Sequence, residues 1–205
     1  MVSLLNPGPV NAGYDQHLEL VKKRRDELRF ALANLYSEPI DLTLEIGSGH
    51  GHWLVKFAES FPEKTCLGLD IIGDRIERAR KKANSAGISN VQFLKAEAFE
   101  TLDLLPKEVR LKEVFVLFPD PWPKKRHWKN RLFCVQFLEQ LAQRCETGVR
   151  CHFRTDHEPY FEWALEVVEQ QSGWSICQTA DWPFEQVTVF QERADAFNSL
   201  ILERV

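Results

Sequence analysis

Leu42-Thr43-Leu44-Glu45-Ile46-Gly47-Ser48-Gly49-His50-Gly51 is the stretch whose reading decides the fold. Leu42 to Ile46 is a short apolar run ended by Gly47, which suits a buried parallel strand. Trp53 to Phe61 then reads as a helix stopped by Pro62. A glycine turn between strand and helix lets a ligand approach the backbone and meets it with the positive end of the helix dipole. The spacing is GxGxG; the dinucleotide fingerprint GxGxxG would need glycine at position 52, where this chain has His52. Asp70 stands near the end of the next apolar run, Cys66 to Ile71, where a carboxylate can accept two ribose hydroxyls. A tight turn without a ligand is the bland alternative, and the loop and the strand-end acid together outweigh it. Glu45 is a charge at the end of an apolar strand. Buried, it needs a partner, either a structural ion pair or a ligand amine or the loop backbone.

Outward from this loop the hydrophobic period alternates between two and 3.6. Residues 15–35 carry Leu18, Val21, Leu28, Leu32 and Leu35 at helical spacing. Ile72, Ile76, Ala79 and Ala83 mark one face of a helix that ends near Gly87. Val91 to Leu94, Glu113 to Phe118 and Val149 to Arg154 read as strands, and Leu132 to Cys145 and Tyr160 to Gln170 as helices, the first ended by Gly148. Trp174 to Thr179 and Ser199 to Glu203 complete seven strands. Such alternation predicts an α/β fold, a mostly parallel seven-stranded sheet with helices on both faces. Residues 1–40 form an N-terminal extension and leading helix, and 41–205 a single globular domain.

The 205 residues, 44% hydrophobic and 27% charged, suffice for one sizeable core. No run of about 18 apolar residues reads as a membrane span. Met1 to Asp15 does not read as a signal peptide. Five cysteines without a CxxC argue against a zinc site or disulfide framework and for a reducing cytoplasm. His50 and His52 sit in a glycine turn without further ligands, so no metal is expected. The net charge of −4 excludes a generally basic nucleic-acid binder. The cations are local instead: Lys124, Lys125, Arg126, Lys129 and Arg131 in one run, and Lys22 to Arg25 in another. The first suggests a defined docking surface, whereas a solvated helix face is the safer reading of the second.

The most informative stretch is Phe118-Pro119-Asp120-Pro121-Trp122-Pro123-Lys124-Lys125-Arg126-His127. It follows the fourth strand, and ligands in open α/β sheets sit beyond the carboxyl ends of strands. Three prolines stiffen the loop and leave Asp120 little entropy to lose. Trp122 offers a flat face for stacking, and the cations can meet phosphates. A rigid loop with a solvated charge run is the alternative, made unlike by an acid, an aromatic and cations meeting at one strand end.

The glycine loop and its acids resemble motif I of the class I S-adenosylmethionine methyltransferases, a Rossmann-like fold. The proline loop closely resembles the FPDPWxKxRH signature of the bacterial tRNA (guanine-N7)-methyltransferases. Phe153-Arg154-Thr155-Asp156 and Thr188-Val189-Phe190-Gln191 resemble that family's Thr-Asp and Thr-Lys-Phe-Glu elements, so the resemblance runs from Glu45 to the C-terminus. It implies S-adenosylmethionine as cofactor and tRNA as partner, with methyl transfer to N7 of the guanine in the variable loop. It implies a cofactor site of Glu45, Gly47, Gly49, Gly51, Asp70, Glu97 and Asp120, with Asp120 also catalytic. Lys124, Asp156, Thr188, Val189, Phe190 and Gln191 would contact the guanine or its nucleotide. Glu97, a candidate neighbour of the adenine, reads equally as the start of a helix. The chain departs from the family in having Gln191 for the usual Glu, Glu97 for Asp, and no glycine after Arg193.

Guanine N7 carries a lone pair and no proton, so methyl transfer needs no general base. It needs orientation and stabilisation of a developing cation. Asp120 and Asp156 suit those tasks, with Trp122 or Trp128 as stacking partners for a base drawn out of the tRNA. Three rivals follow from the same residues: a methyltransferase on another acceptor, a catalytically silent tRNA binder, and a nicotinamide-dependent oxidoreductase. The basic loop argues against the first, Asp120 with the intact glycine loop against the second, and His52 against the third. A monomer and a homodimer fit the sequence equally.

Overall fold

In the computed structural model, which describes residues 12–186 and 196–205, the apolar runs become the strands of one sheet. These are β1 (Ile40–Ile46), β2 (Thr65–Asp70), β3 (Val91–Lys95), β4 (Val109–Leu117), β5 (Cys145–Thr155), β6 (Trp174–Ile176) and β7 (Asn198–Arg204). The helices are α1 (Ala12–Leu35), α2 (His52–Ser60), α3 (Gly73–Ser85), α4 (Ala98–Leu104), α5 (Val135–Ala142) and α6 (Glu158–Glu169), with a 3-10 turn over Lys125–Asn130. The strand order is β3-β2-β1-β4-β5-β7-β6. Strands β1 to β5 run parallel, and β7 is antiparallel to both β5 and β6.

Alternation along each strand assigns its side chains to two faces. Leu42, Leu44 and Ile46 of β1 join Val114, Val116 and Phe153 in one apolar cluster, which takes in Leu28, Leu32 and Tyr36 from α1 and its continuation, and Phe137, Leu138 and Leu141 from α5. Phe115 and Leu117 point the other way, into a cluster with Trp53, Leu54 and Phe57 of α2 and Ile76 and Ala79 of α3. Trp182 and Phe184, from the chain after β6, pack on this second cluster. The expected α/β sheet with helices on both faces is what the chain forms.

Three local departures have physical causes. The segment Leu132 to Cys145 is helical only over α5, and Cys145 already pairs with Leu111 in the sheet. Gly148 does not end a helix. It lies within β5 at φ +88°, where the register jumps from Leu111↔Cys145 to Glu113↔Arg150 and the extra residues loop outward. A glycine there takes the left-handed backbone that a bulge demands. Helix α4, which no hydrophobic period announced, is short and depends on its cap.

On α1, the basic run is partly consumed by packing. Arg24 pairs with Glu100 and Arg25 with Asp103, tying α1 to α4. Lys23 makes only an i,i+4 pair with Glu27 at 3.9 Å.

Candidate active site

The carboxyl ends of β1 and β2 build the first half of the site. Gly47, Gly49 and Gly51 all have positive φ, at +80°, +54° and +68°. Their reasons differ. Added Cβ atoms at Gly47 and Gly49 would meet nothing within 4 Å, so this stretch of backbone is open to a ligand. At Gly51 a Cβ would lie 2.8 Å from Ala79 Cβ and 2.8 Å from Phe93 Cζ. Gly51 therefore lets α2 seat against α3 and β3.

Asp70 organises the loop. Its carboxylate accepts from Gly49 N at 3.1 Å and from Ile72 N at 2.8 Å, with Arg75 Nη1 at 3.4 Å. Gly47 N and Ser48 N both donate to Leu69 O at 2.8 Å. The loop is thus fixed to β2 before any ligand arrives, which lowers the entropy cost of binding.

Glu45 is 3% exposed, and its Oε2 has no hydrogen-bond partner. Burial, helped by the nearby charge of Asp70, pushes its carboxyl up to about 8. The buried Ser48 Oγ is unpartnered as well. Two orphaned acceptors beside an open glycine loop suit a ligand that brings its own donors, a cation above all. Glu97 serves α4: its Oε2 accepts from Glu100 N at 2.9 Å, a helix N-cap. It follows β3, so it stands at the same carboxyl end of the sheet as Asp70.

The second half lies beyond β4 and β5, which pair up to Leu117↔Arg154. Asp120 and Asp156 thus leave neighbouring strand ends, and both are exposed. Phe118 and Trp122, which bracket Pro119-Asp120-Pro121, have φ of +49° and +46°. Left-handed backbone at non-glycine residues costs on the order of 1 kcal/mol or more each, and it persists only where the surroundings enforce it. Phe118 N donates to Arg154 O at 2.8 Å at one end of the loop. At the other, Arg131 Nε donates to Pro121 O at 2.9 Å. Arg131 is 2% exposed, and its guanidinium lies 4.4 Å from the Trp128 ring centre and 4.7 Å from that of Tyr160.

Arg131 is accordingly held in the fold and not available to a phosphate; it rivets the loop. Lys124, Lys125, Arg126 and Lys129 remain exposed. Trp128 is half-buried between Arg131 and Trp163, whose ring centre is 5.6 Å away, so it packs as core. Trp122, edge-on to His127 at 5.8 Å, is the aromatic within the loop itself. Thr188, Val189, Phe190 and Gln191 lie outside the described residues. Their flanks are placed: Glu185 bonds to Arg154 and Phe197 packs 6.1 Å from Phe118.

Sequence reasoning did not single out Ser48, Arg75, Arg131 or Arg154 as individual parts of the site. Arg154 carried a signal, a charge within the apolar run of β5. Among the described residues no group of three or more His, Cys, Asp or Glu could hold a metal ion, and no helix is long and apolar enough to cross a membrane.

Residues 40–200 match the model of the Methyltransf_4 family, described as "Putative methyltransferase". A tRNA (guanine-N(7)-)-methyltransferase of Escherichia coli O6:K15:H31 is 32% identical over 180 residues, covering 83% of this chain and 75% of that one. The chain belongs to the bacterial tRNA (guanine-N7)-methyltransferase family. Similar family members include those of Idiomarina loihiensis, 36% identical over 70% of this chain, and Acinetobacter baylyi, 37% identical over 63%. The matches span 58% and 53% of those two relatives, little more than half their length. Among solved structures, TrmN from Thermus thermophilus superposes with a TM-score of 0.59 at 18% identity, over 86% of this chain and 48% of that one. An rRNA methylase from Streptococcus thermophilus superposes with a TM-score of 0.55 at 13% identity, over 90% and 96%. At these identities the likeness is one of fold, a Rossmann-like methyltransferase fold.

Proposed function

We propose that the chain transfers the methyl group of S-adenosylmethionine to N7 of guanine in the variable loop of tRNA. The observation that carries this reading is Asp120, exposed on a strained, riveted proline loop beside a glycine loop with an orphaned buried acid. The names of relatives similar to this chain support the same acceptor.

The cofactor supplies an electrophilic methyl on a sulfonium. Glu45 fits its amine, since a buried acid without a partner gains most from a cationic donor. Asp70 would exchange part of its backbone pairing for ribose hydroxyls, and Glu97 would lie toward the adenine. Gly47 and Gly49 let the backbone close on the ligand, and Gly51 sets the helix that begins there. Asp120 and Asp156 would accept the guanine N1–H and N2–H₂, donors that adenine does not present, and face the positive charge that methylation leaves on the base. Trp122 would stack on the extruded base, and Lys124 with the neighbouring cations would hold phosphates. Thr188 to Gln191 would complete the guanine contacts. The five cysteines, all free, support a reducing cytoplasm as its compartment.

The test incubates the protein with unmodified tRNA and methyl-labelled cofactor and identifies the methylated nucleoside by mass spectrometry. We expect 7-methylguanosine, absent from a tRNA lacking the variable-loop guanine. Asp120→Asn should lower kcat by about 100-fold, the scale of losing one preorganised electrostatic group, while tRNA binding changes little. Cofactor binding without any nucleoside product would move the acceptor assignment elsewhere.

A further inference from the structure

The bonds that buried Arg131 makes reach two different segments. Nε donates to Pro121 O at 2.9 Å and Nη1 to Pro159 O at 3.3 Å. Pro121 directly follows Asp120 on the loop after β4, and Pro159 lies in the first turn of α6, just beyond Asp156. The guanidinium stands 4.4 Å from the Trp128 ring centre, 4.7 Å from that of Tyr160 and 5.4 Å from that of Trp163. Tyr160 and Trp163 belong to α6, and both reach back to the same stretch of chain as Arg131. Phe133 N donates to Tyr160 Oη at 3.0 Å, and Trp163 Nε1 donates to Phe133 O at 2.9 Å. Residues 131–133 therefore bolt the Asp120 loop to the start of the helix that follows Asp156.

We infer that Arg131 is a positioning residue for methyl transfer, fixing Asp120 and Asp156 relative to each other and not only the loop that carries the first. The inference rests on the proposed tRNA reading and deepens it. The chemistry of the side chain is one argument. Among the described residues no carboxylate pairs with Arg131, and its acceptors are two backbone carbonyls. A buried cation costs desolvation, and where packing alone is needed an apolar side chain serves as well or better. What the guanidinium adds is a rigid plane with donors at fixed positions, which sets the separation of Pro121 O and Pro159 O. Lysine, a single ammonium on a flexible stem, does not hold two carbonyls in one plane. The backbone of the loop is another argument. Trp122, next to Pro121, has φ +46°, so the conformation round Asp120 persists only while its surroundings enforce it. Lastly, both acids are exposed, so the backbone under them, and not burial, sets where they stand. Two charges that act on one base need that spacing held, and an error of about 1 Å costs on the order of 100-fold in rate.

Arg131→Lys keeps the charge and loses the fork. Trp163→Phe loosens the α6 side of the bolt without touching the charge. The full chain and both variants are compared by hydrogen exchange of peptides covering 118–130 and 155–163 without RNA, by calorimetric binding of S-adenosylhomocysteine, and by kcat and KM for a tRNA transcript. We expect faster exchange in both peptides together and unchanged exchange in β1 to β3. S-adenosylhomocysteine affinity should stay within about twofold of wild type, because the glycine loop is fixed separately to β2. In Arg131→Lys, kcat should fall about 100-fold, the scale of a 1 Å misplacement, with the KM for tRNA changed by less than about threefold. Trp163→Phe should move the same readouts in the same direction by less, and it carries the same tests should Arg131→Lys not fold. Added to Asp120→Asn, Arg131→Lys should cost no more than about tenfold further, because one of the acids it places has already lost its charge; a merely structural loss multiplies in full. The inference is overturned if Arg131→Lys keeps wild-type kcat, if its loss multiplies in full with that of Asp120→Asn, or if only one of the two peptides exchanges faster. Should the wild-type protein methylate no tRNA, the function reading fails by itself, and the paired exchange of the two peptides still decides whether Arg131 couples the two loops.

Discussion

Gly68→Ala tests how the glycine loop is supported from below. Gly68 sits on β2, paired with Glu45 on one side and Phe93 on the other. A Cβ there would lie 2.5 Å from Phe93 Cδ1, 2.6 Å from Phe93 Cε1 and 2.8 Å from Ser48 Oγ. Carbon contacts are comfortable near 3.5–4.0 Å, so about 1 Å must be found. The Phe93 ring has little room to yield, because a Cβ built at Gly51 would itself lie 2.8 Å from Phe93 Cζ. The ring is wedged between β2 and the start of α2, and the strain passes to Ser48 and the loop. Overpacking of this kind costs about 1–3 kcal/mol, and the wedged ring puts Gly68→Ala at the upper end, about 2–3. For a chain of this size that is a melting point lower by about 4–12 °C. S-adenosylhomocysteine should bind about tenfold more weakly, since the loop proposed to receive it has shifted. Gly73→Ala is the control: its Cβ would make an ordinary 3.6 Å contact with Lys95 Cδ at the start of α3. It should be neutral or stabilising by up to about 1 kcal/mol. Thermal denaturation and titration calorimetry on both variants decide the matter. A Gly68→Ala protein that melts and binds like wild type would refute the argument that Gly68 is fixed by sterics.

Two pH dependences follow from buried groups. Glu45 is ordinary in the unfolded chain and pushed up to about 8 in the folded one, so its contribution is intact at low pH and lost as pH rises toward 8. Glu45→Gln should therefore gain stability over wild type, on the order of a few kcal/mol, progressively between pH 5 and 8 in urea titrations; parallel curves would contradict it. His152 is pushed down to about 3 by burial, then by Arg150, Lys64 and Arg154, and neither ring nitrogen has a partner. Its contribution is complete above the ordinary histidine range and is lost as pH falls from about 6.5 toward 3. His152→Phe, between the stacked Phe115 ring at 4.5 Å and Trp182, should flatten that acid limb without loss at pH 7. A variant much weaker at pH 7 would mean that the imidazole is needed.

The strands around the glycine loop were legible because each is a short apolar run closed by a glycine, an acid or a proline. The glycine spacing and Asp70 then located the first half of the site. What stayed hidden depends on distant partners. α4 has no amphipathic length to reveal it and is fixed by the Glu97 cap and by packing on α1. Cys145 looks like the end of a helix until Leu111 is seen beside it. Arg131 belongs to a run of cations in the sequence, and only Pro121, Trp128 and Tyr160 closing round it turn it into a rivet. Gly51 was read as part of the cofactor loop, and the structure adds a second reason for glycine there, the close packing of α2 on Ala79 and Phe93. For Cys145 and Gly51 the deciding neighbour lies far along the chain.

The placement of β7 between β5 and β6 bears on how the protein is made. A growing chain reaches β6 with nowhere to attach it, because its partner among the described strands is β7, which follows it in the chain. Until Asn198–Arg204 arrives, β5 presents a free edge whose side chains include Cys151 and Phe153. Open apolar edges recruit other chains. A transcript cut short just before β7, or a ribosome stalled there, would yield a sticky polypeptide and a burden for chaperones, even though every glycine and acid of the candidate site had already been synthesised.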